Sequence, residues 1–396
     1  MPSLPPTSRS APRGLFALAW PLAWMVLGTS AVGWAVMHRG PRDTPDARLA
    51  DGPWGRIERR TVVLEPPSRV LSPAQCDTSP TTWRMAGRTR AEAAQLLADA
   101  GIDPATRDAL LAGPACDAGG CTVLPDDATV LSLAPDRRAA LYRVLGATPA
   151  NPEQFQPLSL PSDERELWFG AGALGDEAAR LLGRLSWQED GAVRVADLRV
   201  LCRALPLDER MRLVRVLERQ PGEILELVVA PGADVDALAA WWERGRPAES
   251  VRPLISALAR QPGGGRVDVT QLLPRFARAR IDRYPTRDER GQDCNFTALN
   301  FFAQEPDARF LDPEVTARAW ASEFQEVPLA EAALGDAIVV RRDGAQVHAA
   351  VYVAADEVFT KNGATTRAPW ALMRLRNLRA LYPGELHVLR RRGPLG

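Results

Sequence analysis

The residues best suited to chemistry in this chain are Cys294 and His348. A thiol becomes a good nucleophile near neutral pH once a base can take its proton, and imidazole titrates in the range that this needs. Histidine is scarce, three in 396 residues, so the base can be sought by elimination. His38 lies beside a long uncharged segment, and His387 stands in "GELHVLRRR" near the C-terminus. His348 sits in "QVHAAVYV", where Val347, Ala349, Val351 and Val353 alternate with Gln346, His348, Ala350 and Tyr352 as on a strand. Cys294 follows Asp293 at the head of "CNFTALNFFAQ", which reads as a helix burying Phe296, Leu299 and Phe302. At a helix start, unsatisfied N–H groups favour a negative sulfur, so the thiol pKa is expected to fall. The same groups can hold the oxyanion formed by attack on a carbonyl, with the Cys294 amide the first candidate.

The elements around the pair must supply that geometry. After Tyr284-Pro285 comes the polar loop "RDERGQD", then the cysteine helix, then "AIVV", "QVHAAVYV" and "EVFTK" as successive strands. Asp343-Gly344 signals a hairpin between the first two, and Ala354 to Asp356 turn the chain into the third. The closing "PWALMRLRNLRALYPGELHVLRRR" supplies a strand, a short helix and a last strand. The expected architecture of residues 286–396 is a helix packed on an antiparallel sheet.

This stretch resembles the NlpC-like branch of papain-fold cysteine peptidases, many of which cut bacterial peptidoglycan. The resemblance covers about residues 284–396. It is carried by "DC" opening a helix, "LGDAIVV" before a hairpin, "HAAVYVAADEVFT" and a closing "LRRR", with cysteine ahead of histidine as in the unpermuted members. It implies that Cys294 attacks, that His348 shuttles the proton, and that a polar residue on the next strand orients the imidazole. "VFTKNG" offers Thr360, Lys361 and Asn362 for that third role. A neutral acceptor suits it, which selects Asn362, with Thr360 as the alternative. Tyr284 stands at about the distance of the family's upstream tyrosine and, with Asp293, is expected to line the substrate site. Asn295-Phe296 replace the small Ser-Gly pair usual after the cysteine. Lys361 is the only lysine beside 48 arginines and is expected to contact an acidic substrate group such as a peptide carboxylate.

The rest of the chain divides by composition. Residues 1–13 form a tail, and Gly14 to Met37 carry no charge, which predicts a transmembrane anchor or, if cleaved, a secretory signal. Residues 38–80, broken by Pro66-Pro67 and Pro73, read as a linker. Residues 81–150 read as a small, mostly helical unit and 151–285 as a helical domain, with segments such as "DEAARLLGRLSW" and "DERMRLVRVLERQ". The expected fold class is therefore α+β: a transmembrane helix, a mostly helical middle region and a papain-like C-terminal domain. Cys116 and Cys121 flank "DAGG" and are expected to pair as a disulfide, while Cys202 reads as a buried core thiol and Cys76 has no assigned role. Cations and anions both total 49, so no basic field points to nucleic acid.

Together these observations predict a membrane-anchored hydrolase with its bulk outside the cytoplasm, secreted if residues 14–37 are removed. It would cleave an amide bond, in peptidoglycan peptides or another peptide, without metal or organic cofactor. Two alternatives remain open at this level: an anchored scaffold that binds a protein partner on its helical region and keeps a degenerate papain-like module, and an acyltransferase or thioesterase using the same dyad.

Overall fold

The computed structural model describes residues 45–46 and 51–393, apart from 114, 171 and 246–249. Strand β1 (Arg56–Leu64) pairs antiparallel along its whole length with β2 (Gln220–Val229), from Arg56 opposite Val228 to Leu64 opposite Gln220. β3 (Gly265–Asp268) continues the sheet beyond β2, and the two-residue strand Pro45–Asp46 closes the other edge. Ile57, Leu225, Leu227 and Val229 are buried on its inner face, the period of two that a half-buried sheet requires. β1 lies inside the segment read as a linker. Its local signal, "RTVVL" in front of Pro66-Pro67, is weak because the partner that buries it stands more than 150 residues away in sequence.

A second, larger sheet and the helices against it carry the site. Helix α1 (Cys294–Leu299) leads through a loop to α2 (Pro313–Glu323) and β4 (Phe324–Val327). Next come β5 (Ala337–Arg342), β6 (Ala345–Ala354), β7 (Glu357–Lys361) and β8 (Trp370–Arg374). Helix α3 (Leu375–Leu381) and β9 (Glu385–Arg391) end the fold. The six strands form one antiparallel sheet in the order β4-β9-β5-β6-β7-β8. Asp343 and Gly344 join β5 to β6 at φ 53° and 77°, as a two-residue turn between twisted strands demands. One sheet face packs Val339, Val351, Val353, Phe359 and Trp370 against Phe296 and Leu299 of α1. The other packs Ile338, Val340, Ala350, Tyr352, Val358 and Met373 against Leu378 of α3.

The expected fold class needs correction in two respects. The described residues are a mixture of fifteen α-helices and several antiparallel sheets, and the middle region is not mostly helical. It holds β2, β3 and a three-stranded sheet of Leu158–Pro161, Ala192–Val195 and Ser186–Glu189. The helical reading of "DEAARLLGRLSW" fails at its end: the helix stops at Leu185, and Trp187 is already on a strand. Asp190 and Gly191, at φ 51° and 76°, then turn a hairpin of the same kind as Asp343-Gly344. The unit read as helical at 81–150 likewise contains a sheet of Trp83–Ala86, Gly120–Val123 and Cys116–Asp117. Secondly, no helix among the described residues is long and apolar enough to cross a membrane, and residues 14–37 lie outside the described residues.

Two disulfides, Cys76–Cys202 and Cys116–Cys121, border or enter the core built by residues 76–217. Cys202 is therefore no free thiol: its partner Cys76, 126 residues upstream, is buried beside it. The two large sheets are tied by buried ion pairs, Arg59 to Glu357 at 3.0 Å and Arg374 to Glu223 at 2.7 Å, with Arg374 also donating to Thr61. These hold the far end of β7. Burial, and next the charge of Glu223, push the Glu357 carboxyl above the usual carboxylate range, against the pull of Arg59.

Gly335, just before β5, sits at φ +88°, and a Cβ there would overlap the Phe302 ring. Overpacking adds to an unfavourable backbone conformation, so Gly335→Ala is expected to lower stability by about 2–4 kcal/mol in a denaturant titration.

Candidate active site

Cys294 occupies the first position of α1 because Asp293 caps it, its carboxylate accepting from the Phe296 N–H at 2.8 Å. The helix ends at Leu299, earlier than the apolar pattern suggests. The Asn300 side chain donates to the Phe296 carbonyl at 3.0 Å and accepts from the Asp307 N–H at 2.6 Å, which draws the chain off the helix axis. Cys294 is the one cysteine outside a disulfide and is half-buried.

The ladder between β6 and β7 stops at Val351 opposite Phe359. Beyond that pair the Ala349 backbone serves the site. Its carbonyl accepts from the Thr360 hydroxyl at 3.1 Å, and its N–H lies close enough to the Cys294 sulfur to favour the thiolate. Thr360 Oγ1 also lies 2.8 Å from Nε2 of His348. A hydroxyl has one proton, and the Ala349 carbonyl can only accept, so Thr360 must receive the second bond from Nε2–H. That fixes the tautomer and leaves Nδ1 with the lone pair a general base needs. No hydrogen bond joins the thiol to the imidazole: Cys294 lies on the α1 side of the sheet and His348, opposite Val340, on the α3 side.

Thr360, rather than Asn362, therefore stands in the third position. β7 alternates, so Thr360 turns to the imidazole, whereas Asn362 lies past the strand's end and donates to Gln220 of β2 at 3.0 Å. Tyr284 is not at the substrate wall: its hydroxyl lies 3.0 Å from the Leu64 carbonyl, where it anchors the end of β1, and burial raises its pKa. Asp293 serves as cap. Lys361 is fully buried, with its ammonium on the carbonyls of Gly363 and Thr365 and 5.6 Å from the centre of the Trp370 ring. Ala364, between those carbonyls, accepts from the N–H of Gly291 at 3.1 Å. Lys361 thus braces the segment that leads into Cys294.

The electrostatics depart from the expected activated thiol. Burial, and then the Asp293 charge, push the Cys294 thiol up to about 11, against the N–H groups of Ala349, Asn295 and Cys294, which pull it down. Burial alone pushes the His348 imidazole down to about 3. Both groups are neutral at pH 7, so the proton must move as attack occurs. The amides of Cys294 and Asn295 lie near the sulfur and favour its negative form, while those of Phe296 and Thr297 are taken by Asp293.

Two neighbours escaped the sequence reading. The β5–β6 ladder slips after Val340 opposite His348, so that Arg341 faces Gln346 and Val347 is a bulge. A bulge re-aims side chains, and Gln346 reaches α1, where it and Trp320 of α2 both donate to Asn295, Trp320 at 3.0 Å. Asn295 is thereby a brace between α1, α2 and β6. The second is Tyr382, whose ring is stacked on His348 with centroids 3.9 Å apart and planes at 10°. Among the described residues, no group of three or more Cys, His, Asp or Glu is placed to hold a metal ion.

Comparison of the chain with protein-family models, with curated proteins and with solved structures finds no match.

Lowered from 10.5 to about 8 by burial, the Lys361 pKa carries a consequence for stability. Between these values the unfolded chain holds the proton and the folded chain does not, so raising the pH through the window favours the fold. The stability difference between wild type and Lys361→Met is expected to climb by on the order of 3 kcal/mol from pH 8 to pH 10.5, read by urea unfolding.

Proposed function

We propose that the chain is a cysteine hydrolase that cleaves an amide bond in a peptide, with cell-wall peptide as the substrate class to test first. One observation supports this reading: the one free cysteine heads α1 beside Ala349, whose carbonyl accepts from the Thr360 hydroxyl that holds the His348 imidazole on the other side of the strand. Nucleophile and base thus flank one peptide unit, with the orienting group on the side of the base. In the reaction, Cys294 Sγ attacks the amide carbon and its proton is relayed through water to Nδ1 of His348, which lies across the β6 backbone from the sulfur. The amides of Cys294 and Asn295 face the oxyanion. Collapse expels the amine, which takes the proton from the imidazole. Water then attacks the thioester, with His348 again as base, and frees the acid. The two disulfides support action in an oxidising compartment.

A second reading is favoured by the burial of His348, 2% exposed beneath Tyr382, and by the missing direct bond to the thiol. It holds the module to be a non-catalytic scaffold. Incubation of the full chain with purified cell-wall sacculi separates the two. New peptide amino termini that disappear with Cys294→Ala support the hydrolase; identical product profiles from both proteins defeat it.

A further inference from the structure

Tyr382 follows α3 at the point where the chain leaves the helix, held by its N–H on the Leu378 carbonyl at 2.8 Å. Its ring lies flat on His348 with centroids 3.9 Å apart. Planes at 10° make this a stacked pair. A flat plate so close stops an imidazole from rotating about its last side-chain bond. The other neighbours of the ring leave that motion open: Thr360 grips one nitrogen, and Val340 opposite His348 on β5 is aliphatic. The titratable groups near the ring are Tyr382 from α3 and, across the strand backbone, Cys294 from α1, whose charge is felt at the Tyr382 phenol. β5 and β7 face the ring with the uncharged Val340 and Thr360. The Tyr382 hydroxyl donates to no group among the described residues, so the ring and not the hydroxyl makes the contact.

We propose that Tyr382 is a positioning residue for His348: its ring clamps the imidazole in the plane that keeps Nε2 on Thr360 and Nδ1 free, and shields it from water. This rests on the hydrolase reading only for its catalytic consequence. The clamp protects His348 whether or not the protein turns over substrate.

The test uses the full chain and a reagent for neutral imidazole, diethyl pyrocarbonate, with modification followed peptide by peptide by mass spectrometry. His387, half-buried on β9, reports whether each variant is folded and reactive. In wild type and Tyr382→Phe, His348 is expected to react at least 10-fold more slowly than His387. In Tyr382→Ala that protection is expected to vanish. Tyr382→Leu, which keeps apolar bulk without a flat ring, is expected to lose most of it, and covers the case in which the Ala variant fails to fold. Where hydrolysis is measurable, the acid limb of the pH profile should move up towards the ordinary imidazole range in the Ala and Leu variants and stay in place in Phe. Equal protection of His348 in Phe, Leu and wild type overturns the proposal. Failure of the hydrolase reading is a separate result, namely no product from wild type.

Discussion

Cys294→Ala and His348→Ala are each expected to lower amide hydrolysis by about 10⁴-fold, and the double variant to lose no more than either alone. The reason is that both act in one proton-coupled step. With the thiol pushed up to about 11 and the imidazole down to about 3, neither group is charged beforehand, so a thiol without its base gains little. Thr360→Val should cost about 10²-fold, because Nε2–H loses its acceptor and the tautomer is no longer specified. Asn362→Ala, which removes a bond to Gln220 and none to His348, should stay within about 2-fold. Initial rates on muropeptides released from sacculi give all five numbers. A large loss in Asn362→Ala beside a small one in Thr360→Val would return the third role to Asn362. Alkylation adds a check, since Cys294 is the one thiol outside a disulfide.

Removal of the Cys76–Cys202 bridge is expected to have the largest effect on stability. The two residues are 126 apart, and closing a loop of that length in the unfolded chain is worth about 5 kcal/mol by chain entropy, against about 2 kcal/mol for the five-residue separation of Cys116 and Cys121. The long bridge also ties the segment after β1 to the helix Leu198–Ala204, elements that no nearby sequence would hold together. Denaturant midpoints of the Cys76→Ser/Cys202→Ser and Cys116→Ser/Cys121→Ser variants, each against wild type, check the order. A larger fall for the short loop would show that the native state, and not the unfolded chain, sets the effect.

How far the sequence could be read depends on the range of the interaction that decides each feature. The start of α1 was legible because Asp293 and Cys294 are adjacent and capping is local. Its end was not, since Asn300 takes its partner from Asp307 in the following loop. Hairpins at Asp343-Gly344 and Asp190-Gly191 carry the same two-residue signal; the second was hidden by the helical pattern before it. β1 was missed because its strand character comes from β2.

The same division runs through the site. By itself the sequence located one cysteine at a helix start and one histidine on a strand, because residue type and local periodicity suffice for that. Tertiary structure decided which neighbour orients the base, since one position along β7 separates a side chain facing His348 from one beyond the strand's end. It decided that the buried lysine braces a loop, because only the fold surrounds an ammonium with backbone carbonyls. It decided the protonation states too: desolvation depends on everything packed around a group, and here it outweighs the helix start that alone would have lowered the thiol pKa.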